Sequence, residues 1–263
     1  MASRTKQKEE ARARRLAEEQ ARTERTRRER RLRMLGGVVL GAVILVVVAI
    51  AVSGGGGNKG GLAKGKQKSQ NVSTVQALLS GIPQSGARLG NPKAPVTMTY
   101  YGDLQCPICR DFTLNGGFPQ LVSNDVKAGK VQIVYRAFQT ATHDPTTFQT
   151  QQVAALAAGE QQRFWNFVEL FYHEQGAEGT SYVSESYLSG LAQQVPGLSI
   201  SKWQSDRNNA TLASQVQADG QLGTKIGVSG TPTLVFQGPK GSATPSSAVP
   251  SYSELEQDVK KVA

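Results

Sequence analysis

The 263-residue chain has only two cysteines and two histidines. A zinc site built on the cysteine pair would need two further ligands, and His143 and His173 stand 30 positions apart with no ligand-like spacing. Zinc is therefore disfavoured, and no metal or cofactor is expected. With one cysteine pair, no thiol is left over to mispair with it. Charge is absent from Met34 to Val52, and carboxylates are absent from residues 53–70, which carry four lysines. No internal repeat is visible.

The formal net charge of +10 raises nucleic acid as a partner, but its distribution argues otherwise. Residues 1–33 hold thirteen Lys/Arg and six Glu, while residues 71–263 hold thirteen basic and fourteen acidic side chains. The basic excess belongs to the N-terminal region, and the rest is close to neutral. No nucleic-acid partner is expected.

The uncharged run Met34–Val52 is rich in Val, Ile, Leu, Gly and Ala. At ~1.5 Å rise per residue it spans about 28 Å, close to a bilayer's ~30 Å hydrocarbon core. Arg27, Arg28, Arg30, Arg31 and Arg33 crowd its N-terminal flank. The positive-inside rule then predicts a single-pass protein of the cell membrane. Residues 1–33 form a basic cytoplasmic tail, residues 34–52 a transmembrane helix, and the cysteines lie outside the cytosol. A cleaved signal peptide is the competing reading, with Ala49-Ile50-Ala51 as the processing site. The long charged region and long apolar run favour a retained anchor. An extracytoplasmic location suits disulfide chemistry, because thiols stay reduced in the cytosol.

Residues 53–75 read as a flexible Gly/Lys linker. Its first eighteen residues would have a root-mean-square reach of ~23–25 Å. Residues 76–263 read as one folded domain. Val96–Tyr101, Val131–Ala137 and Thr233–Phe236 are strand candidates, rich in β-branched and apolar residues. A helical block of about 140–224 lies between the last two. There Phe164, Phe167, Val168 and Phe171 keep helical spacing, as do Leu188, Leu191, Ala192 and Val195. These side chains, with Trp165 and Trp203, are expected in the core. The last helix is expected to open on a Ser253/Glu256 capping box and to bury Leu255, Val259 and Val262. Strands separated by helices indicate an α/β class with an inserted helical subdomain.

The two cysteines are three residues apart, in Cys106-Pro107-Ile108-Cys109, directly after the first strand candidate. A helix beginning there presents unpaired N–H groups and a partial positive charge, which favour a thiolate. Pro107 suits the first helical turn, where its missing N–H costs nothing. The second thiol, one turn on, can displace a mixed disulfide formed by the first. A purely structural disulfide across so short a loop would remove little unfolded-chain entropy. Redox activity is the favoured reading. Gly230-Thr231-Pro232-Thr233 precedes the third strand candidate. A proline at a strand's first residue cannot serve the ladder and needs a turn or functional role. A cis bond there would expose the Thr231 backbone as a short edge on which an extended peptide could pair beside the sulfur.

These segments resemble the DsbA-like branch of the thioredoxin superfamily, membrane-anchored bacterial thiol–disulfide oxidoreductases. The likeness runs in order over most of residues 88–263. It starts at Gly90-Asn91-Pro92-Lys93-Ala94-Pro95-Val96 and continues through Gly102-Asp103-Leu104-Gln105-Cys106-Pro107-Ile108-Cys109. Tyr135-Arg136-Ala137-Phe138, His143 and Phe164-Trp165 look like the family's next strand, loop and inserted-helix signature. Leu222-Gly223 and Gly227-Val228-Ser229-Gly230-Thr231-Pro232-Thr233 look like its approach to the cis-proline. The resemblance implies a thioredoxin-like fold with an inserted helical subdomain. It also implies Cys106 as the exposed nucleophile, Cys109 as the resolving thiol, Pro232 in cis, and Thr231, Pro107 and Ile108 as substrate-binding or supporting residues.

Two departures stand out. The intervening dipeptide is Pro-Ile, where strongly oxidising members often have histidine, and Ile108 offers the thiolate no donor. Tyr100 stands where thioredoxins and some relatives carry a buried acid, which leaves Asp103 as the remaining candidate proton acceptor for Cys109. His143 and Arg110 read as loop and surface residues. The expected function is extracytoplasmic oxidation of cysteine pairs in secreted or cell-envelope proteins through a Cys106–Cys109 disulfide, with a membrane redox partner that reoxidises it. A disulfide reductase or isomerase using the same site is one alternative. A non-catalytic, membrane-anchored binding scaffold is the other.

Overall fold

The computed structural model describes residues 61–263. The tail, the 34–52 segment and residues 53–60 lie outside the described residues. Among those described, no helix is long and apolar enough to cross a membrane.

The first helix, α1, spans Gly65–Leu79, so much of the stretch expected to be a flexible linker is helical. The Gly/Lys composition conceals a helical spacing: Asn71, Val75 and Leu79, four apart, are buried. They pack α1 on helix α5 (Phe164–His173). The short strands β1 (Gln84–Ser85) and β2 (Arg88–Leu89) form a hairpin. At two residues each they are too short to show an alternating pattern, and the sequence does not announce them.

The core sheet follows. Strands β3 (Val96–Gly102), β4 (Val131–Ala137) and β5 (Thr233–Gly238) match the three expected, and β6 (Gly241–Ala243) is an edge strand within the Gly/Ser/Pro-rich stretch 238–250. The order is β1-β2-β4-β3-β5-β6. Strand β3 pairs parallel with β4, Gly102 opposite Ala137, and antiparallel with β5, Tyr101 opposite Thr233. This register places the site. The end of β3, the end of β4 and the start of β5 meet at one rim, so the loops at 103–106, 138–142 and 230–232 converge. The preference of open α/β sheets for sites at the carboxyl ends of parallel strands is met there.

Helices α2 (Pro107–Leu114) and α3 (Phe118–Leu121) and a single π turn (Val122–Val126) link β3 to β4. The expected helical block is present as α4 (Pro145–Gly159), α5, α6 (Glu185–Ala192), α7 (Ile200–Asp206) and α8 (Ala210–Lys225). The aromatic residues singled out there are core. Phe164, Trp165, Phe167, Phe171 and Trp203 are fully buried, and Trp165 stacks on Phe118 with centroids 5.5 Å apart. Helix α8 docks at Gly223, where a Cβ would come within 2.5 Å of the Phe138 ring. The last helix, α9 (Tyr252–Val262), buries Leu255, Val259 and Val262 as expected. Its N-cap is Ser251, not Ser253: the Ser251 hydroxyl accepts from the Glu254 N–H, and Tyr252 already lies within the helix.

Glu169 is an outlier in this core. It lies on the face of α5 shared by Trp165 and Tyr172, is fully buried, and its Oε1 has no hydrogen-bond partner. Burial pushes its carboxyl pKa up to about 8.

Candidate active site

Cys106 is the N-cap of α2, and Pro107 occupies its first position. The Cys106 Sγ accepts a hydrogen bond from the Cys109 N–H at 3.2 Å, the part an N-cap side-chain oxygen usually plays. On the other side the thiol faces the Thr231 carbonyl, 3.3 Å away. The Thr231–Pro232 peptide is cis, and Pro232 is buried behind it. The structure thus brings together Cys106, Cys109, Thr231 and Pro232, with Pro107 and Ile108 half-buried between the sulfurs.

Cys106 is less open than the resemblance implies for a nucleophile. Cys106 is 4% exposed and Cys109 0%. The Thr231 backbone closes over the Cys106 sulfur and leaves only an edge for an incoming thiol. The two cysteines are not joined by a disulfide.

Their chemistry is sharply split. The Cys106 thiol is pulled below the usual cysteine pKa, first by the hydrogen bond from the Cys109 thiol. Burial opposes this, while the Thr231 side chain and the backbone N–H groups of Cys109 and Ile108 reinforce it. The Cys109 thiol is pushed far up, chiefly by burial and then by its bond to Cys106. Ionisation is therefore easier at Cys106 than at Cys109.

Among the described residues, no carboxylate side chain is hydrogen-bonded to the Cys109 thiol. Tyr100 is fully buried; its hydroxyl donates to the Cys109 carbonyl at 3.3 Å and lies 3.1 Å from the Thr113 Oγ1 and 3.4 Å from the Tyr172 hydroxyl. Burial raises the Tyr100 pKa well above its ordinary value, so a neutral phenol replaces the acid found there in thioredoxins.

Asp103 is a loop anchor. Its carboxylate accepts from the backbone N–H groups of Gln105, Thr140 and Thr142, at 3.0, 2.9 and 2.9 Å. It also accepts from the Thr142 hydroxyl and from the Gln151 Nε2 at 3.3 Å. These donors tie the cysteine loop to the loop after β4 and to α4. Thr140 in turn shares a short hydroxyl contact with Thr231, so the converging loops form one network. Asp103→Ala would strand several buried donors and is expected to cost about 3–4 kcal/mol, read as a lowered denaturant midpoint at unchanged slope. The carboxylate is committed to these donors, which argues against the proton-acceptor role considered from sequence. Arg110 and His143 are exposed surface and loop residues.

Two site residues have no sequence signal beyond their polarity. Gln175, at the end of α5, donates from Nε2 to the carbonyls of Leu104 and Cys106, at 2.8 and 3.1 Å. Asp219, on α8, is buried and pairs with Arg136 while accepting from the Ala137 N–H at 3.3 Å. That pair fixes α8 against β4 and thereby the chain leading to Thr231. Among the described residues, no group of three or more His, Cys, Asp or Glu side chains could hold a metal ion.

Comparisons with known proteins agree with this geometry. Residues 84–249 match the family model described as thioredoxin. The disulfide bond formation protein D of Bacillus subtilis is 28% identical over 151 residues, which cover 56% of this chain and 65% of that protein. The oxidised crystal structure of BdbD from Bacillus subtilis aligns with a TM-score of 0.58 at 23% identity, covering 70% of this chain and 96% of that one. Wolbachia pipientis alpha-DsbA1 aligns at 0.55 and 18%, covering 70% and 92%. With the family model spanning most of the folded region, the chain belongs to the thioredoxin family.

Proposed function

We propose that this thiol–disulfide oxidoreductase works as an oxidase of cysteine pairs in secreted or cell-envelope proteins. In this reading the domain is held outside the cytosol by the 34–52 segment. The observation that carries the direction is the contrast between the sulfurs. A lowered Cys106 pKa stabilises the reduced pair and so makes the disulfide more oxidising.

The chemistry balances as a two-electron exchange. A substrate thiolate attacks Cys106 Sγ of the Cys106–Cys109 disulfide, and the Cys109 sulfur leaves and takes up a proton. The substrate's second thiolate attacks its own sulfur in the mixed disulfide, and Cys106 leaves as a stabilised thiolate. The substrate gains a disulfide and the protein is left as the dithiol. A membrane redox partner then removes the two electrons. During the exchange, the Thr231 edge would pair with the extended substrate chain. The name of the Bacillus subtilis relative, a disulfide bond formation protein, supports this direction.

Equilibrating the protein with glutathione buffers tests the reading. A potential nearer the ~ −120 mV of DsbA than the ~ −270 mV of thioredoxin is expected. A value below about −260 mV would overturn the oxidase reading and favour a reductase.

A further inference from the structure

We propose that Gln175 is a positioning residue for the Cys106 nucleophile, through which the helical insertion sets the reactivity of the cysteine pair. The proposal rests on the thiol–disulfide chemistry above and adds a residue on which that chemistry depends.

The geometry is specific. A glutamine amide nitrogen has two hydrogens, and the structure gives each a backbone carbonyl: Leu104 at 2.8 Å and Cys106 at 3.1 Å. The two acceptors flank Gln105, so one side chain fixes the loop over its last step into the active-site helix. The Cys106 carbonyl has a second duty, because it accepts from the Arg110 N–H at 3.1 Å and opens the α2 hydrogen-bond ladder. Gln175 therefore acts on the peptide plane that orients the first turn of α2. The Cys109 N–H that stabilises the Cys106 sulfur belongs to that turn.

Gln175 is itself held from several sides. Its N–H bonds the Tyr172 carbonyl, and the preceding carbonyl, of Glu174, accepts the Tyr187 hydroxyl at 3.1 Å. The Glu174 carboxylate, buried, accepts from the Asn71 Nδ2 at 2.6 Å and from the Ala63 N–H. Helices α1, α5 and α6 thus brace the residue from behind while its amide reaches the cysteine loop. Held this way, the amide keeps the loop oriented through both redox states without the cost of ordering a mobile side chain.

Gln175→Met keeps the length of the side chain and removes both donors. Without them the loop can rotate, the Cys109 N–H loses alignment with the sulfur, and the thiolate loses stabilisation. In the full-length protein, the midpoint for Cys106 thiolate absorbance at 240 nm is expected to rise. The equilibrium constant against glutathione should fall about tenfold towards a more reducing pair, equivalent to about 30 mV. Gln175→Asn, whose amide falls short of both carbonyls, should shift both readings in the same direction. A structural role alone would lower thermal stability and leave both readings at wild-type values, and that result overturns the proposal. If neither variant folds, the unaltered protein decides. Side-chain amide protons of Gln175 protected from exchange in both redox states support the proposal, and protons exchanging at the free-amide rate overturn it. A wild-type pair that does not equilibrate with glutathione would instead refute the thiol–disulfide reading itself.

Discussion

Cys106→Ser should reduce dithiol oxidation to background, and Cys109→Ser given glutathione disulfide should accumulate a mixed disulfide between Cys106 and one glutathione, the other glutathione leaving as the thiol. The first result follows because a serine hydroxyl at the α2 N-cap is not ionised near neutral pH and forms no disulfide. The second follows from the burial of Cys109. With that sulfur gone, nothing inside the protein can displace a thiol bound at Cys106, and the adduct lasts until an external thiol arrives. Turnover of a dithiol peptide reads the first outcome, and the mass of the Cys109→Ser protein after treatment with glutathione disulfide reads the second. Adduct forming at Cys109 in a Cys106→Ser background would contradict the assignment of roles. A scaffold that only binds peptides should keep its binding function in Cys106→Ser, so the same variant separates that reading from an oxidoreductase.

Thermal stability should fall as pH rises through neutrality, and Glu169→Gln should remove most of that fall. The folded-state pKa of Glu169, about 8, lies above its ordinary 4.5. Between those values the folded chain holds a proton that the unfolded chain has released, so stability is lost as pH rises through that window. The full swing corresponds to about 5 kcal/mol at 1.36 kcal/mol per unit. It is large because the carboxyl is buried and Oε1 has no donor to stabilise the anion. Melting temperatures from pH 5 to 9 check this. A glutamine variant with the same slope as wild type would show that other groups govern the decline. Asp219 is raised in the same direction, mainly by burial, but Arg136 offsets the shift. Glu169 should therefore dominate.

Much of the site was legible in the sequence because its chemistry depends on residues of distinctive type. Cysteines three apart after a β-branched run announce a strand–helix junction, and Thr231-Pro232 before a second such run announces the facing loop. Strands β3, β4 and β5 were readable because central strands are apolar along their length. The residues that tune the site were not readable. Asp103 could be placed beside the cysteines, but its role depends on donors 37 to 48 positions away. Gln175, just past the end of α5, and Asp219, on α8, are ordinary polar residues, and only the register of the fold brings them to the rim. Glu169 carried a partial signal, an acid four residues after Trp165 and three before Tyr172 on one helix face. Composition misled over the first two-thirds of α1, where glycine and lysine outweighed the buried Asn71.

The most direct test of the central claim is the pH dependence of alkylation of the reduced protein, followed cysteine by cysteine by peptide mapping. Cys106 should react with a midpoint below the ~8.5 of an ordinary thiol, while Cys109 stays unmodified over the same range. Equal reaction of the two sulfurs, or a Cys106 midpoint at or above that of a free cysteine, would contradict the account.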